Sequence, residues 1–332
     1  MPGSATWHAR SKRIQLDRPF VMGILNVTPD SFSDGGKFAS VEAALARAQR
    51  MVAEGADGID VGGESTRPQG ATVVSAGEEI RRVVPVIRAA RREFSDLPIS
   101  VDTTKADVAT ACIDAGADIV NDVSGFRLDP SLGEIVATSG AGVVLMHSRG
   151  DVAEMGTYQF AEYEGDVVTA VIDELRAAVA RAASAGVRHE SIVIDPGIGF
   201  AKRSHHSLRV LASLHRFASL GYPILVGVSR KRFVGELSGV ERAADRVAGT
   251  IGANVAALMR GARVFRVHDV APNRQALDVA WGVMQAGVDG EDLSSEHFDS
   301  PPGSPRPPEA GTRPVPGSHA VRRTYIDRRR NA

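Results

Sequence analysis

The sequence lacks the features that mark a secreted, membrane-spanning or nucleic-acid-binding protein. Its 332 residues include a single cysteine, Cys112, which excludes an intrachain disulfide framework and leads us to expect a reducing, cytoplasmic location. No apolar run approaches the roughly 18 residues that span a bilayer, and residues 1–19 lack the apolar core of a signal peptide. The formal net charge is −1, so bulk charge predicts neither a nucleic acid nor a membrane partner.

The composition is that of an ordinary globular protein, except near the carboxyl terminus. Hydrophobic residues make up 43% of the chain and charged residues 24%. Seven of the 17 prolines fall between Pro301 and Pro316, and such a segment cannot bury enough apolar surface to offset its chain entropy. We therefore predict an extension over residues 1–17, one domain over 18–286 and a disordered Pro- and Arg-rich tail over 287–332. The tail's arginines are compatible with solvation or with an acidic partner.

One short unit recurs between residues 20 and 286. A helical stretch ends in a glycine, a short Val- and Ile-rich run follows, and that run ends in a polar residue. The glycines at these breaks are Gly55, Gly116, Gly140, Gly186, Gly221 and Gly261. Glycine tolerates the left-handed conformation that ends many helices, and short apolar runs without alternation are typical of strands buried on both faces.

The recurring unit predicts eight strands and the helices between them. The strands lie near residues 20–26, 58–61, 99–102, 119–122, 142–146, 192–195, 224–228 and 264–268. Eight strand–helix units in about 265 residues favour a closed (β/α)8 TIM barrel. An open doubly wound sheet is the alternative, although no strand runs into a G-x-G-x-x-G turn. Ser40 is the expected cap of the first barrel helix, and Pro85 should kink or divide the second.

Polar side chains stand at the end of nearly every predicted strand. These positions are Asn26, the segment 64–67, Asp102, Asn121 with Asp122, His147, Asp195, the segment 229–231 and the segment 266–269. In a (β/α)8 barrel the carboxyl ends of the strands meet at one mouth, where active sites are built. A purely structural barrel has no need of so many polar strand ends, so we predict a binding site at this mouth.

One group of strand-end residues suggests a planar heterocyclic ligand. The group consists of Asp102, Asn121, Asp195 and Lys231. Together these residues offer two carboxylates, an amide and an ammonium from four different strands. A guanidine-like edge suits a carboxylate and a ring carbonyl suits a lysine, so a heterocycle with alternating donors and acceptors would satisfy them.

A second group suggests a phosphate-bearing ligand. Arg67, Arg266 and His268 combine two guanidinium groups with an imidazole, and the Thr66 hydroxyl stands beside them in the sequence. Asn26 supplies a hard oxygen that could hold magnesium next to a diphosphate. The two groups together predict a ligand with a heterocyclic part and an anionic part.

Other residues at the mouth also have a purely structural interpretation. Asp122 and Asp269 are as well placed to cap a helix as to bind a ligand. Arg230 is expected to be a surface charge, because a lone arginine usually is. His147 is expected to be a structural histidine whose hydrogen bonds are satisfied.

Seven short motifs occur along the chain in the order found in one enzyme family. The motifs are NVTPDSFSDGG, DVGGESTRP, SVDT, NDVSG, DPGIGFAK, GVSRKRF and RVHDV. Each motif is weak alone, but together they make residues 18–285 resemble dihydropteroate synthase. That family joins 6-hydroxymethyl-7,8-dihydropterin diphosphate to 4-aminobenzoate on the folate pathway and releases diphosphate. The resemblance implies a transferase that makes 7,8-dihydropteroate.

The resemblance also implies a role for each strand-end residue. The pterin would be held by Asp102, Asn121, Asp195 and Lys231, and the diphosphate by Thr66, Arg67, Arg266 and His268. Asn26 would bind Mg²⁺, and Phe200 would help to wall the aminobenzoate pocket. Asp102 would stabilise a pterin-methyl cation, while Arg67 and His268 would stabilise the departing diphosphate. The implied catalytic set is Asp102, Arg67, Lys231 and His268.

Further properties follow from the resemblance alone. The family is typically homodimeric, and the small-residue helix near 247–260 is a plausible dimer face. Sulfonamides are the expected inhibitors. The loops after the first two barrel strands would be mobile covers that exclude water from the reaction.

Two residues depart from the family pattern, and other functions remain open. Gln69 follows Pro68 where glycine is common, and Arg232 follows Lys231 where serine is common. Arg232 could pair with the aminobenzoate carboxylate or could point to solvent. The nearest rival is a methyltetrahydrofolate–corrinoid methyltransferase, which has no need of a diphosphate site. A catalytically silent binding protein and a phosphate-binding barrel isomerase are more distant alternatives.

Overall fold

A computed structural model of the chain describes residues 5–27, 37–64 and 74–286, of which residues 37–40 are described by their backbone alone. The loops predicted to be mobile covers, over 28–36 and 65–73, and the tail predicted to be disordered lie outside the described residues. Within the described part, no helix is both long and apolar enough to cross a membrane.

Eight parallel strands close into a barrel, as the sequence predicts. Two short strands, β1 (Thr6–Ala9) and β2 (Lys12–Gln15), precede it. The barrel strands are β3 (Phe20–Asn26), β4 (Gly58–Gly62), β5 (Ile99–Asp102), β6 (Ile119–Asp122), β7 (Gly142–Met146), β8 (Ile192–Asp195), β9 (Ile224–Val226) and β10 (Ala262–Val267). Each pairs with the next, and β10 pairs with both β9 and β3, which closes the ring and excludes the open sheet.

Helices follow all eight barrel strands. They are α1 (Lys37–Ala53), α2 (Ala76–Glu93), α3 (Ala106–Ala115), α4 (Ser131–Ser139), α5 (Val167–Ser184), α6 (Ser204–Ala212), α7 (Arg232–Ser238), α8 (Val247–Leu258) and α9 (Val270–Ala286). The core between the strands and the helices is built from the outward-facing strand residues and the inward faces of the helices. All six glycines predicted to break the repeat have a positive φ, from 67° at Gly140 to 113° at Gly116.

Two helix predictions need correction. Helix α1 begins at Lys37, so Ser40 lies inside the helix and is not its cap. Helix α2 runs without division through Pro85 and is capped by Ser75, whose side chain accepts a hydrogen bond from the Glu78 amide. Pro85 is exposed, so the Arg81 carbonyl that it deprives of a partner can be hydrated while the buried face of the helix stays packed.

An amino-terminal hairpin packs against the end of the barrel opposite the mouth. Strands β1 and β2 are antiparallel, and Trp7 on β1 is completely buried and donates its indole N–H to the Ser191 carbonyl at 2.9 Å. The apolar cluster that joins the hairpin to the barrel consists of Trp7, Ala9, Ile14, Leu16, Phe20, Met22, Ile119, Val144, Val193, Leu225 and Val264. Residues 5–17 of the predicted extension are thus part of the packed fold.

Candidate active site

The barrel register brings the predicted strand-end residues to one level. Asn26 pairs with Gly62, Gly62 with Asp102, and Asp102 with Asn121, so these positions lie on four adjacent strands. Residues paired across neighbouring strands project to the same side of a sheet. Asp195 is level with Met146 on the other side of the barrel. The mouth therefore gathers two carboxylates and two amides from separate strands.

A partly buried arginine lies just below this level, between two carboxylates. Arg266 on β10 donates from Nε to Asp60 Oδ2 at 2.6 Å and from Nη2 to Asp102 Oδ2 at 2.7 Å. Asn121 donates from Nδ2 to the same Asp60 oxygen at 3.1 Å. The predicted role of Arg266 in binding diphosphate stays a prediction, but in this structure its partners are the carboxylates of the barrel interior.

Asp60 is a polar residue of the site that the sequence analysis missed. It is completely buried in the middle of β4, two residues before Gly62, and therefore points inward below Asp102. A carboxylate in a strand buried on both faces needs a partner, and that rule could have singled it out. Its Oδ1 atom has no hydrogen-bond partner among the described residues, so the floor of the site retains acceptor capacity.

Lys231 and Asp195 form the opposite wall together with the turn that follows β8. The Lys231 ammonium donates to the Ile198 carbonyl and lies 4.2 Å from the centroid of the Phe200 ring. Asp195 Oδ1 accepts a hydrogen bond from the Gly197 amide at 2.7 Å. The predicted pterin residue Lys231 and the predicted aminobenzoate residue Phe200 are thus direct neighbours.

Burial shifts the pKa values of these charged groups. It raises the pKa of Asp102 to about 7, despite the opposing effect of Arg266. Burial also raises the pKa of Asp195. It lowers the pKa of Lys231 to about 8, although the negative charge of Asp195 opposes that decrease. Asp60, Asp102 and Asp195 face two cations, Arg266 and Lys231, so the ionised site carries an excess of negative charge. Such a site favours a ligand edge rich in N–H donors.

His268 is fixed at the mouth by the loop after β9. Its Nδ1 atom is 2.9 Å from Ser229 Oγ, and its backbone N–H donates to the same hydroxyl at 3.1 Å. Its backbone carbonyl accepts from Arg47 of α1 at 2.8 Å. Thr66 and Arg67, the other predicted diphosphate residues, lie outside the described residues.

The residues on either side of segment 65–73, Glu64 and Val74, are held by hydrogen bonds and an ion pair. Glu64 accepts from the Val74 amide at 2.7 Å, which ties together the two ends of the segment. Lys105 bridges Glu64 at 2.9 Å and Glu79 of α2 at 2.6 Å. The loop that carries Thr66 and Arg67 therefore leaves the barrel from a fixed base.

The residues with structural interpretations all have partners in the protein. Asp122 accepts from the Ser124 and Phe126 amides and so stabilises a turn, not a helix start. The expectation that Arg230 is a simple surface charge is wrong, because the side chain is partly buried and its Nε donates to Asp269 at 2.9 Å. His147 is buried and both of its ring nitrogens have partners, which confirms the structural interpretation.

The described residues contain no group of three or more His, Cys, Asp and Glu side chains that could hold a metal ion. Asn26, the predicted magnesium ligand, offers one oxygen at the rim, and a Cβ atom added at Gly62 would lie 3.7 Å from Asn26 Oδ1 and 3.9 Å from Asp102 Oδ2. Magnesium commonly keeps several waters and takes only one or two protein oxygens when it travels with substrate phosphates. The donor set suits an ion that arrives with a diphosphate.

Comparison with known proteins places the chain in a family. Residues 22–268 match the family described as pterin binding enzyme. The dihydropteroate synthase of Clostridium beijerinckii is 43% identical over 261 residues, which cover 78% of this chain and 92% of the relative.

Solved structures agree in fold as well as in sequence. Xanthomonas albilineans dihydropteroate synthase with 4-aminobenzoic acid is 46% identical, with a TM-score of 0.78 over 85% of this chain and 99% of that one. The Yersinia pestis dihydropteroate synthase in a sulfonamide drug complex is 42% identical, with a TM-score of 0.78 over 85% of this chain and 100% of that one. By motif order, barrel topology and overall similarity, the chain belongs to the dihydropteroate synthases of the pterin binding enzyme family.

Proposed function

We propose that this protein condenses 6-hydroxymethyl-7,8-dihydropterin diphosphate with 4-aminobenzoate and releases 7,8-dihydropteroate and diphosphate. The observation that carries the proposal is the meeting of Asp102, Asn121, Asp195 and Lys231 at one barrel mouth. Two carboxylates, an amide and an ammonium match the donors and acceptors along the edges of a pterin ring. The family membership of the chain supports the same reaction.

The pterin would bind in the barrel interior above the Asp60–Arg266 pair. Asp195 accepts hydrogen bonds and suits the amino-pyrimidine edge of the ring, while Lys231 donates and suits the ring carbonyl. Asn121 offers both a donor and an acceptor. Its side-chain amide is oriented by the hydrogen bond from Nδ2 to Asp60 Oδ2 at 3.1 Å. Because Asp60 is buried behind these groups and is bonded to the partly buried Arg266, the pair holds the recognition residues in place before the substrate arrives.

The chemistry would begin with cleavage of the carbon–oxygen bond to diphosphate. The bonding electrons leave with the diphosphate, and a positive charge remains on the pterin methylene and is delocalised into the ring. Asp102, when ionised, would stabilise that charge electrostatically from within the barrel. The amine of 4-aminobenzoate then adds to the methylene carbon and loses a proton. That aromatic amine is uncharged at neutral pH and needs no activating base.

The departing diphosphate would meet the cationic groups at the rim. We assign this role to Thr66, Arg67, Arg266 and His268, of which His268 is held by Ser229. Arg266 would have to exchange one of its carboxylate partners in order to reach the anion. Magnesium would be held by Asn26 together with the diphosphate, and when bound it supplies Lewis-acid stabilisation of the leaving group.

The aminobenzoate would lie against Phe200 and the alkyl chain of Lys231. Beyond them, the Arg232 guanidinium carbon is 4.7 Å from the centroid of the Tyr158 ring, and the Arg203 guanidinium carbon is 5.5 Å from the same centroid. No ion pair of Arg232 occurs among the described residues. This placement favours Arg232 as a partner of the aminobenzoate carboxylate. Sulfonamides are the expected competitive inhibitors, because the similar Yersinia pestis enzyme is solved in a sulfonamide drug complex.

Two further properties belong to the proposal. The only cysteine, Cys112, is free and buried, which is compatible with a cytoplasmic location. A homodimer is proposed through helices α8 and α9, because Met259 at the end of α8 and Val279 and Val283 on neighbouring turns of α9 are 65–69% exposed. A Cβ atom added at Gly252 of α8 would meet nothing within 4 Å, which leaves that helix open to close approach.

The test is a diphosphate-release assay with each substrate omitted in turn. We expect release only when the pterin diphosphate, 4-aminobenzoate and magnesium are all present, with stoichiometric formation of 7,8-dihydropteroate. Release without aminobenzoate would indicate a simple hydrolase. Absence of release, combined with tight pterin binding, would indicate a binding protein.

A further inference from the structure

Lys202 is a buried lysine with no role in the reaction proposed above. Its side chain is 1% exposed, although it directly follows the segment that lines the aminobenzoate pocket. Its ammonium contacts His147 Nδ1 at 2.7 Å, the Gly197 carbonyl at 3.1 Å and the Phe200 carbonyl at 3.1 Å. Each of these three atoms can accept a hydrogen bond from the Lys202 amino group, yet none of them belongs to a carboxylate, and burial lowers the pKa of Lys202 well below its ordinary value. A lysine is rarely buried without a direct counter-ion, so this arrangement calls for an explanation.

His147 connects Lys202 to a carboxylate near the protein surface. His147 Nε2 lies 3.0 Å from Glu174 Oε2 of α5, so Nε2 carries the proton and Nδ1 is left to accept from Lys202. Burial and the nearby Lys202 lower the pKa of His147 to about 4, which keeps the ring neutral at physiological pH. Glu174, His147 and Lys202 form a hydrogen-bonded chain that orients the Lys202 amino group.

The carbonyls that Lys202 contacts are the two ends of a single turn. The Phe200 amide donates to the Gly197 carbonyl at 3.0 Å, which closes the turn over residues 197–200. The turn packs so tightly on β7 that a Cβ atom added at Gly197 would lie 1.9 Å from the His147 carbonyl oxygen. Inside the same turn, the Ile198 carbonyl accepts from Lys231 and the Phe200 ring lies beside that lysine. A shift of the turn would therefore move Phe200 and Lys231 together.

We propose that Lys202, oriented by His147 and Glu174, is a positioning residue that fixes the turn 197–200 and thereby shapes the aminobenzoate pocket. Lys202 does not touch the reacting atoms. It determines where the Phe200 ring stands relative to Lys231, and so it acts on the second substrate more than on the pterin. The proposal rests on the function proposed above.

The test compares Lys202→Met with the wild type by steady-state kinetics for both substrates. Methionine keeps the length of the side chain but leaves both turn carbonyls without their donor. We expect the KM for 4-aminobenzoate to rise about tenfold or more, because small displacements of positioning groups have effects of this size. The KM for the pterin diphosphate and kcat should each change less than about threefold. An equal rise of both KM values, or no change in either, would overturn the proposal.

A pair of variants at His147 supplies the matched control. A glutamine at 147 can still donate to Glu174 and accept from Lys202, whereas a leucine can do neither. His147→Gln should therefore retain the wild-type KM for aminobenzoate, and His147→Leu should reproduce the defect of Lys202→Met. If Lys202→Met does not fold, this pair decides the question, since equal KM values for the two variants would refute the role.

The same experiments separate this inference from the proposed function. A wild-type protein without aminobenzoate-dependent diphosphate release would refute the function itself. An active wild-type protein, with a Lys202→Met variant that has the same KM for aminobenzoate, would refute only the positioning role.

Discussion

Asp195 combines the features expected of a substrate-recognition carboxylate. It stands at the end of β8, it is buried, and one of its oxygens accepts from the Gly197 amide at 2.7 Å. Burial raises the pKa of Asp195, and the positive charge of Lys231 limits that rise. An Asp195→Asn substitution would keep the shape of the side chain and remove the charge, so it isolates the electrostatic part of recognition.

We expect Asp195→Asn to weaken pterin binding by about 1.5–3 kcal/mol, the range for a hydrogen bond to a charged group. Calorimetric titration with the pterin diphosphate measures this loss directly. Asp173→Asn is a suitable control, because Asp173 is exposed on α5 and pairs only with its helical neighbour Arg176. Unchanged pterin affinity in Asp195→Asn would remove this residue from the binding site.

His147 makes the stability of the protein depend on pH. Its pKa is lowered to about 4 in the folded state from an ordinary value of 6.5. Between these pH values the unfolded chain binds a proton that the folded protein does not, so stability falls as the pH drops through this window. The loss attributable to His147 approaches roughly 3 kcal/mol at pH 4.

Urea unfolding of the wild type and of His147→Gln, each at pH 7 and at pH 4.5, should reveal this effect as a difference in the free energy of unfolding. Titrating groups that do not contact residue 147 are shared by the wild type and His147→Gln, so their contributions cancel, and the pKa of the contacting Glu174, lowered to about 2, lies below this pH range. We expect the free energy of unfolding of the wild type to fall more steeply with decreasing pH than that of the variant. Parallel pH dependences would show that His147 does not titrate differently in the folded protein.

Single residues differ in how far the sequence could reveal them. Strand-end residues such as Asp102 and Asp195 are visible because they interrupt apolar runs at a position with a known meaning. Asp60 opens the motif DVGGESTRP and could have been singled out as a carboxylate in a buried strand, whereas the importance of Lys202 depends on contacts with residues that are remote in sequence. Arg266 was noticed, but its pairing with Asp60 follows from the register between β10, β3 and β4, which no local pattern encodes.

At the scale of secondary-structure elements, the eight barrel strands and the six helix-ending glycines were predicted correctly. Val- and Ile-rich runs and glycines at helix ends are local features that a sequence shows directly. Strand β9 ends at Val226, two residues earlier than predicted, and β10 begins at Ala262, two residues earlier than predicted. The amino-terminal hairpin was missed because its four-residue strands carry mostly polar side chains. Its stability comes from tertiary burial of Trp7 and Ile14, which sequence patterns do not show.

We expect the hairpin to contribute to stability but not to catalysis. Trp7→Ala removes a completely buried indole and leaves the Ser191 carbonyl without its donor, which should cost about 3–5 kcal/mol. The melting temperature should fall by roughly 10 °C. Activity at low temperature should persist, because the hairpin packs at the end of the barrel opposite the mouth.

Differential scanning calorimetry and the diphosphate-release assay test these two statements separately. Trp281→Ala is the control, because Trp281 is only partly buried, on the outer helix α9 under Arg263. The control should lose less stability than Trp7→Ala. A Trp7→Ala variant with unaltered melting temperature would show that the hairpin is not an integral part of the barrel.

At the scale of the whole molecule, the α8 and α9 surface should control association. Met259→Glu combined with Val283→Glu would place two charges in the proposed interface, and burying them without partners is costly. We expect the wild type to sediment as a dimer and the double variant as a monomer. Thr110→Glu with Thr138→Glu, on exposed positions of α3 and α4, adds the same charge elsewhere and should leave the dimer intact. A monomeric wild type would refute the proposed homodimer.

The positions of the two tryptophans provide two separate optical reporters. Trp7 is sealed at the base of the barrel with its indole N–H bonded, so its emission should be blue-shifted and should change only when the barrel unfolds. Trp281 lies two residues from both Val279 and Val283 and therefore on the opposite side of α9, where it is partly buried under Arg263, so its emission should report the packing of α9 on the barrel. Neither indole lies among the residues that form the mouth. Intrinsic fluorescence can therefore follow unfolding of the barrel base and of helix α9 as two separate events, without direct interference from a ligand in the site.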